Sequence, residues 1–239
     1  MTLPTIATFA PIVCWAAYVL GVVLVERRYA SLSVIMSVQR RRWVANAARR
    51  ESPLDAILSA NLMGSVSFLA STSVLVILAV FTALGQLAGM RSALADAGFS
   101  MGYSAGDMQL HLVVTLTLFV LAFFSFTLSL RQFNHFCIML GAMDRRTGVG
   151  EAEIDAIAAL NTMGARNFNN GLRAYYFSVP MVAWFASEWL AIAVSVLTML
   201  LLAQREFFST AHRVAAQATV SAARSAEAGR SPPAASDNY

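Results

Sequence analysis

Residues 62–90 read LMGSVSFLASTSVLVILAVFTALGQLAGM and contain no charged side chain. A helix needs about 20 predominantly apolar residues to cross about 30 Å of hydrocarbon. A run this long and this free of charge has no place on the surface of a water-soluble domain. Residues 4–25 and 110–130 meet the same test without a charge, and residues 177–202 meet it with one, Glu188. Composition agrees: the chain of 239 residues is 58% hydrophobic and 13% charged, against about 45–50% and about 25% in ordinary soluble domains. Mean hydropathy is +0.62. These figures exclude a soluble globule and a disordered chain. They predict an all-α, polytopic membrane protein, a four-transmembrane-helix bundle occupying residues 1–207. A polar, partly disordered tail over residues 208–239 follows it.

The connections have their own pattern. Between Glu26 and Glu51 stand Arg27, Arg28, Arg40, Arg41, Arg42, Arg49 and Arg50, while Tyr29, Leu32, Ile35, Met36, Trp43 and Ala47 recur at spacings near three and four. That stripe predicts an amphipathic helix on the headgroups or a helical extension of the first span. Residues 150–176 read as a second such helix, with Glu151, Glu153 and Asp155 in its first turn, where the helix dipole favours acids. The segment 91–108 reads as a short polar connection.

All 17 basic residues are arginine, and the formal net charge is +4. Because the arginines flank apolar runs, they point to the membrane surface and to topology rather than to nucleic acid. Seven between the first and second spans and five between the third and fourth make twelve, against five in the remaining connection and the tail. That bias predicts a multi-pass membrane protein with both large connections cytoplasmic and the N-terminus and tail on the outer side; the expected location is a bacterial inner membrane. The first span lacks a preceding positive stretch and exceeds a signal-peptide core, so it reads as retained. Cys14 and Cys137 predict no disulfide framework. His111 and His135 would stand about 36 Å apart on one helix, too far to share a haem. Asp107 and His111 alone are too few ligands for a metal. No cofactor is expected.

Three motif-bearing stretches resemble a known family. Residues 40–77, RRRWVANAARRESPLDAILSANLMGSVSFLASTSVLVI, carry Arg40–x–x–Trp43, then Asp55, then Asn61–x–x–x–Ser65–x–Ser67–Phe68–x–Ala70–Ser71. Residues 129–142, SLRQFNHFCIMLGA, and 164–185, GARNFNNGLRAYYFSVPMVAWF, add to it. From roughly Trp15 to Phe207 the chain resembles the domain-of-unknown-function family 599. That resemblance implies a multi-pass membrane protein and no assigned activity. Where the family pattern has Gly–Pro after the tryptophan, this chain has Ser187 and Glu188.

Three constellations carry the functional expectations. Glu188, read as lying near mid-span, predicts either a proton or cation relay or a protonated carboxyl bonded to a neighbouring hydroxyl. Arg131, Asn134 and His135 share a face at the end of the third span. Arg166, Asn169, Asn170 and Arg173 share one before the fourth. If the two faces meet, they could hold a lipid phosphate, a small anion or a partner loop; a purely structural polar network is the plainer alternative. Ala60, Gly64, Ser67 and Ser71 form a small-residue stripe suited to close helix packing, within the chain or between chains. No nucleophile–base–acid set or glycine-rich phosphate loop appears, so an enzyme is disfavoured. The expected role is a non-enzymatic scaffold, or a lipid- or partner-associating protein, at the inner leaflet. The alternative is a small transporter or channel subunit using Glu188. Expected partners are membrane lipids and a membrane protein or a second copy of the chain.

Overall fold

The computed structural model describes residues 2–50, 53–98 and 103–228, with side chains described as far as residue 221. Every regular element among them is a helix: α1 (Leu3–Glu26), α2 (Leu32–Ala47), α3 (Leu54–Gly85), α4 (Leu87–Asp96), α5 (Ala105–Ala142), α6 (Glu151–Trp184), α7 (Glu188–Phe207) and α8 (Thr210–Ala228). Four helical stretches are long and apolar enough to cross a membrane, namely α1, α3, α5 and the one that begins at Glu188.

Local chemistry sets the helix starts. Ser31 accepts the Val34 amide at 3.2 Å and donates to Glu26 at 2.5 Å, which caps α2 and ties it to the end of α1. Ser104 and Asp107 form a reciprocal capping box at the start of α5. Asp55, in the first turn of α3, accepts from the Trp43 indole at 2.7 Å and from Arg50 at 2.9 Å, pinning α3 to α2.

The central seam is antiparallel α5 against α6. The rings of Phe133 and Phe126 lie over Gly164 and Gly171. A Cβ at Gly171 would come within 2.5 Å of the Phe126 ring, and one at Gly164 within 2.9 Å of Phe133. Missing side chains here let two helices approach where the hydrophobic effect alone cannot join them. Ser129 seals the seam by donating to the Gly164 carbonyl at 2.7 Å. On the other side of α5, α3 packs Val66 and Ala70 against Ala122 and Phe126.

Two ends of the bundle are thereby defined. At the amino end, Trp184 of α6 donates to the Pro4 carbonyl of α1 at 3.2 Å, and Thr8 of α1 meets His111 of α5. At the opposite, arginine end, Ser33 of α2 donates to Glu206 of α7 at 3.1 Å, and Gln39 of α2 donates to Thr219 of α8 at 2.7 Å. The helices α1, α3, α5, α6 and α7 each run from one end to the other.

This arrangement corrects the sequence reading in four places. Residues 177–202 are not one span: Phe177–Trp184 complete α6, the chain turns over 185–187, and α7 returns. Summed hydropathy cannot tell one helix from a tight hairpin, whereas Ser187, extended at φ −169° and ψ 142°, followed at once by Glu188, is a helix start. The stretch read as a second, separate helix is the first half of α6. The connection 91–108 begins within a helix, α4. The tail is helical over Thr210–Ala228 and lies at the arginine end of the bundle, opposite the N-terminus. The last residues of the tail, 229–239, fall outside the described residues.

Candidate functional site

On α6, Arg166, Asn169, Asn170, Arg173 and Tyr176 recur at three and four residues and share one face. The face they leave, through Gly164 and Gly171, is committed to α5. They therefore turn toward α1, α2 and α7, where they line two small polar cavities of about 190 Å³ each. Tyr18 and Glu26 of α1, Ser33 and Arg40 of α2, and Arg205 and Glu206 of α7 complete the walls.

The contacts within this cluster are specific. The Arg173 guanidinium sits 5.1 Å from the centroid of the Tyr18 ring, a cation–π contact, and donates to Asn170 at 3.3 Å. Arg205 donates to the Tyr176 hydroxyl at 2.9 Å. Both carboxylates are engaged with α2: Glu26 with Ser31, and Glu206 with the Ser33 amide in the positive first turn of that helix. Among the described residues, the ion pairs are those of Arg41 with Glu151 and Asp155 and of Arg50 with Asp55. Arg40, Arg166, Arg173 and Arg205 thus converge without a carboxylate in ion-pair contact. Arg40 shows the result: burial and the neighbouring Arg166 charge both push its pKa below the ordinary guanidinium value. Such an arrangement attracts an anion with several oxygens.

Arg131, Asn134 and His135 are exposed on α5 and line neither cavity. The two polar faces expected to meet do not, because α5 turns Phe126, Ser129, Phe133, Phe136 and Leu140 inward. Residues 131, 134 and 135 fall off that stripe. Sequence reasoning placed the α6 half of the cluster and missed Tyr18, Glu26, Arg40, Arg205 and Glu206. The available signal was the two glutamates closing apolar runs beside arginines. The stripe Ala60, Gly64, Ser67 and Ser71 is exposed, and a Cβ at Gly64 would meet nothing within 4 Å. α3 buries the neighbouring set Asp55, Ser59, Val66, Ala70 and Ser73 instead.

The amino end holds the second polar constellation. Trp184 lies between Tyr103 and His111, with ring centroids 4.1 Å away on each side. His111 is fully buried. Its Nε2 donates to the Met181 carbonyl at 2.9 Å, so Nδ1 is left to accept from the Thr8 hydroxyl at 3.2 Å. Tyr103 donates to the Trp184 carbonyl at 3.0 Å; burial first, and then the Glu188 carboxylate, push its phenol pKa up. Glu188 is not at mid-span. It occupies the first turn of α7, where the helix dipole favours a carboxylate, and the mid-span relay loses its geometric basis. Asp107 is engaged in its capping box and does not pair with His111 toward a metal.

A family model described as a protein of unknown function, DUF599, matches residues 6–211. Comparison with curated proteins finds no match, and comparison with solved structures finds none either.

Proposed function

Since the chain belongs to the DUF599 family of proteins of unknown function, we propose its role from geometry: a non-enzymatic membrane protein that holds an anionic lipid headgroup at its arginine end. The observation that carries this reading is the convergence of Arg40, Arg166, Arg173 and Arg205 on two polar cavities, with the nearby carboxylates Glu26 and Glu206 bonded to α2. Free positive charge at headgroup depth is complementary to lipid phosphate.

Orientation follows from the same charges. With the tail at the arginine end, Arg91 alone among the described arginines lies at the amino end. Excess arginine marks the cytoplasmic side of short connections. The reading is therefore five crossings, a cytoplasmic arginine end, and an N-terminus on the outer side with the tail inside. The tail's arginines then support the bias that they opposed in a four-span reading.

The test compares two double variants, Arg173→Ala with Arg205→Ala against Arg41→Ala with Arg42→Ala. Both remove two charges. Native mass spectrometry of protein extracted in mild detergent should show loss of bound phosphatidylglycerol in the first pair only. Equal loss in both would reduce the effect to net charge and end the site reading.

A further inference from the structure

We infer that an apolar cavity beside the arginines takes the acyl chain of the same anionic amphiphile whose headgroup they hold, so that head and tail are read at one site. This rests on the headgroup reading above and deepens it. The cavity has a volume of about 910 Å³ and lies between α1, α7 and α8, within the range of about 300–1,000 Å³ typical of small-molecule sites. Small residues make the space: Ala17 and Gly21 on α1, Ala203 on α7 and Ala216 on α8. A Cβ built on Gly21 would meet nothing within 4 Å. The cavity is half open, so an acyl chain has a way in, and its apolar lining is poorly suited to water.

The position of the cavity identifies that occupant. Tyr18 lines both this cavity and one polar cavity, and Val22 lines both it and the other. The Tyr18 ring carries Arg173, so one side chain borders the charged compartment and the apolar one. Along α1 the lining runs from Ala17 to Val25, a rise of about 12 Å, close to half of the roughly 30 Å hydrocarbon thickness. That is the depth of one leaflet's chains. The far wall is this protein's own α8, held by His212 donating to the Ala30 carbonyl at 2.9 Å and by the Gln39–Thr219 bond. A partner helix would have to displace α8, whereas a flexible chain can thread beneath it.

The experiment titrates purified full-length protein in mild detergent with two probes, a long-chain lysophosphatidylglycerol and chainless glycerol phosphate. Native mass spectrometry reads binding. Gly21→Phe fills the cavity from α1 and Ala216→Phe fills it from α8; whichever keeps the wild-type melting temperature carries the test. The expected result is at least about tenfold weaker long-chain binding, the loss from turning a couple of methylenes out of an apolar site. Glycerol phosphate binding should stay unchanged. Unaltered long-chain binding in the filled variant would overturn the inference, as would equal affinity of wild type for the two probes. In either case the arginine site still stands. Arg173→Ala with Arg205→Ala should weaken both probes, and if it weakens neither, the headgroup reading itself falls.

Discussion

At the amino end, polar side chains are buried and spoken for. His111 bridges Thr8 and the Met181 carbonyl, Tyr103 bonds the Trp184 carbonyl, and Trp184 bonds the Pro4 carbonyl. Each bond joins two different segments, and polarity there serves to lock helices where lipid offers no alternative partner. At the arginine end, four guanidinium groups border cavities, and among the described residues no carboxylate neutralises them by direct pairing. The difference teaches that the two ends answer to different demands. One maximises internal satisfaction and contributes stability. The other keeps unspent charge and space, which cost stability and suit binding.

The sharpest way to break this contrast is Trp184→Ala. Trp184 is fully buried and stacked on both faces, so its loss should cost about 3–5 kcal/mol. It should appear as a large fall in melting temperature in mild detergent, while each molecule still folded retains its anionic lipid. If lipid retention falls as steeply as stability, the two ends are not separable. A smaller effect is expected at the seam that joins the ends. Gly171→Val would force a Cβ to 2.5 Å from the Phe126 ring, an overpacking that costs about 1–3 kcal/mol. Gly64→Leu, in open space, should leave the melting temperature where it was; a drop there would mean that the exposed stripe of α3 is covered by another chain.

Charges that are paired at the arginine end should matter less. Arg41 bonds Glu151 and Asp155 at 2.5 Å each, with its side chain 45% exposed. Arg41→Ala should lower the melting temperature only slightly, and the difference should vanish in high salt. A small effect is also expected at Asp144, whose pKa is held below the ordinary carboxylate value by the Arg146 amide and the Thr147 hydroxyl. A depressed pKa adds stability above the unfolded value of 3.8 and loses it as pH falls through the lower folded value. Asp144→Asn should therefore be slightly less stable than wild type at neutral pH and indistinguishable from it in strong acid.

Much of the fold was legible where one physical quantity decided it. Residues 4–25, 62–90 and 110–130 are apolar runs without charge, and each falls largely within a long helix of the structure. α6 escaped because its first half carries acids and amides and its second half merges with α7 into one apolar run. Only the Ser187–Glu188 pair marks the break. The site was half legible for a related reason. Spacing reveals that Arg166, Asn169, Asn170 and Arg173 share a face, but it cannot say what that face meets. The answer depended on Phe126 and Phe133 seeking Gly171 and Gly164, a three-dimensional fit that turned the face away from Arg131 and His135.

That clasp has a consequence for how the chain enters its membrane during synthesis. α6 brings Arg166 and Arg173 with it, and these charges make it a poorer candidate for insertion on its own than an uncharged apolar helix. Taken alone, α6 is not among the four helical stretches long and apolar enough to cross a membrane. α5 emerges first, and its two phenylalanines give α6 a waiting groove. The glycines of the seam are what let α6 dock on a helix that is already in place. A bulky residue at Gly171 would do more than loosen a finished bundle. It would deny α6 its place on α5 while the bundle is still assembling.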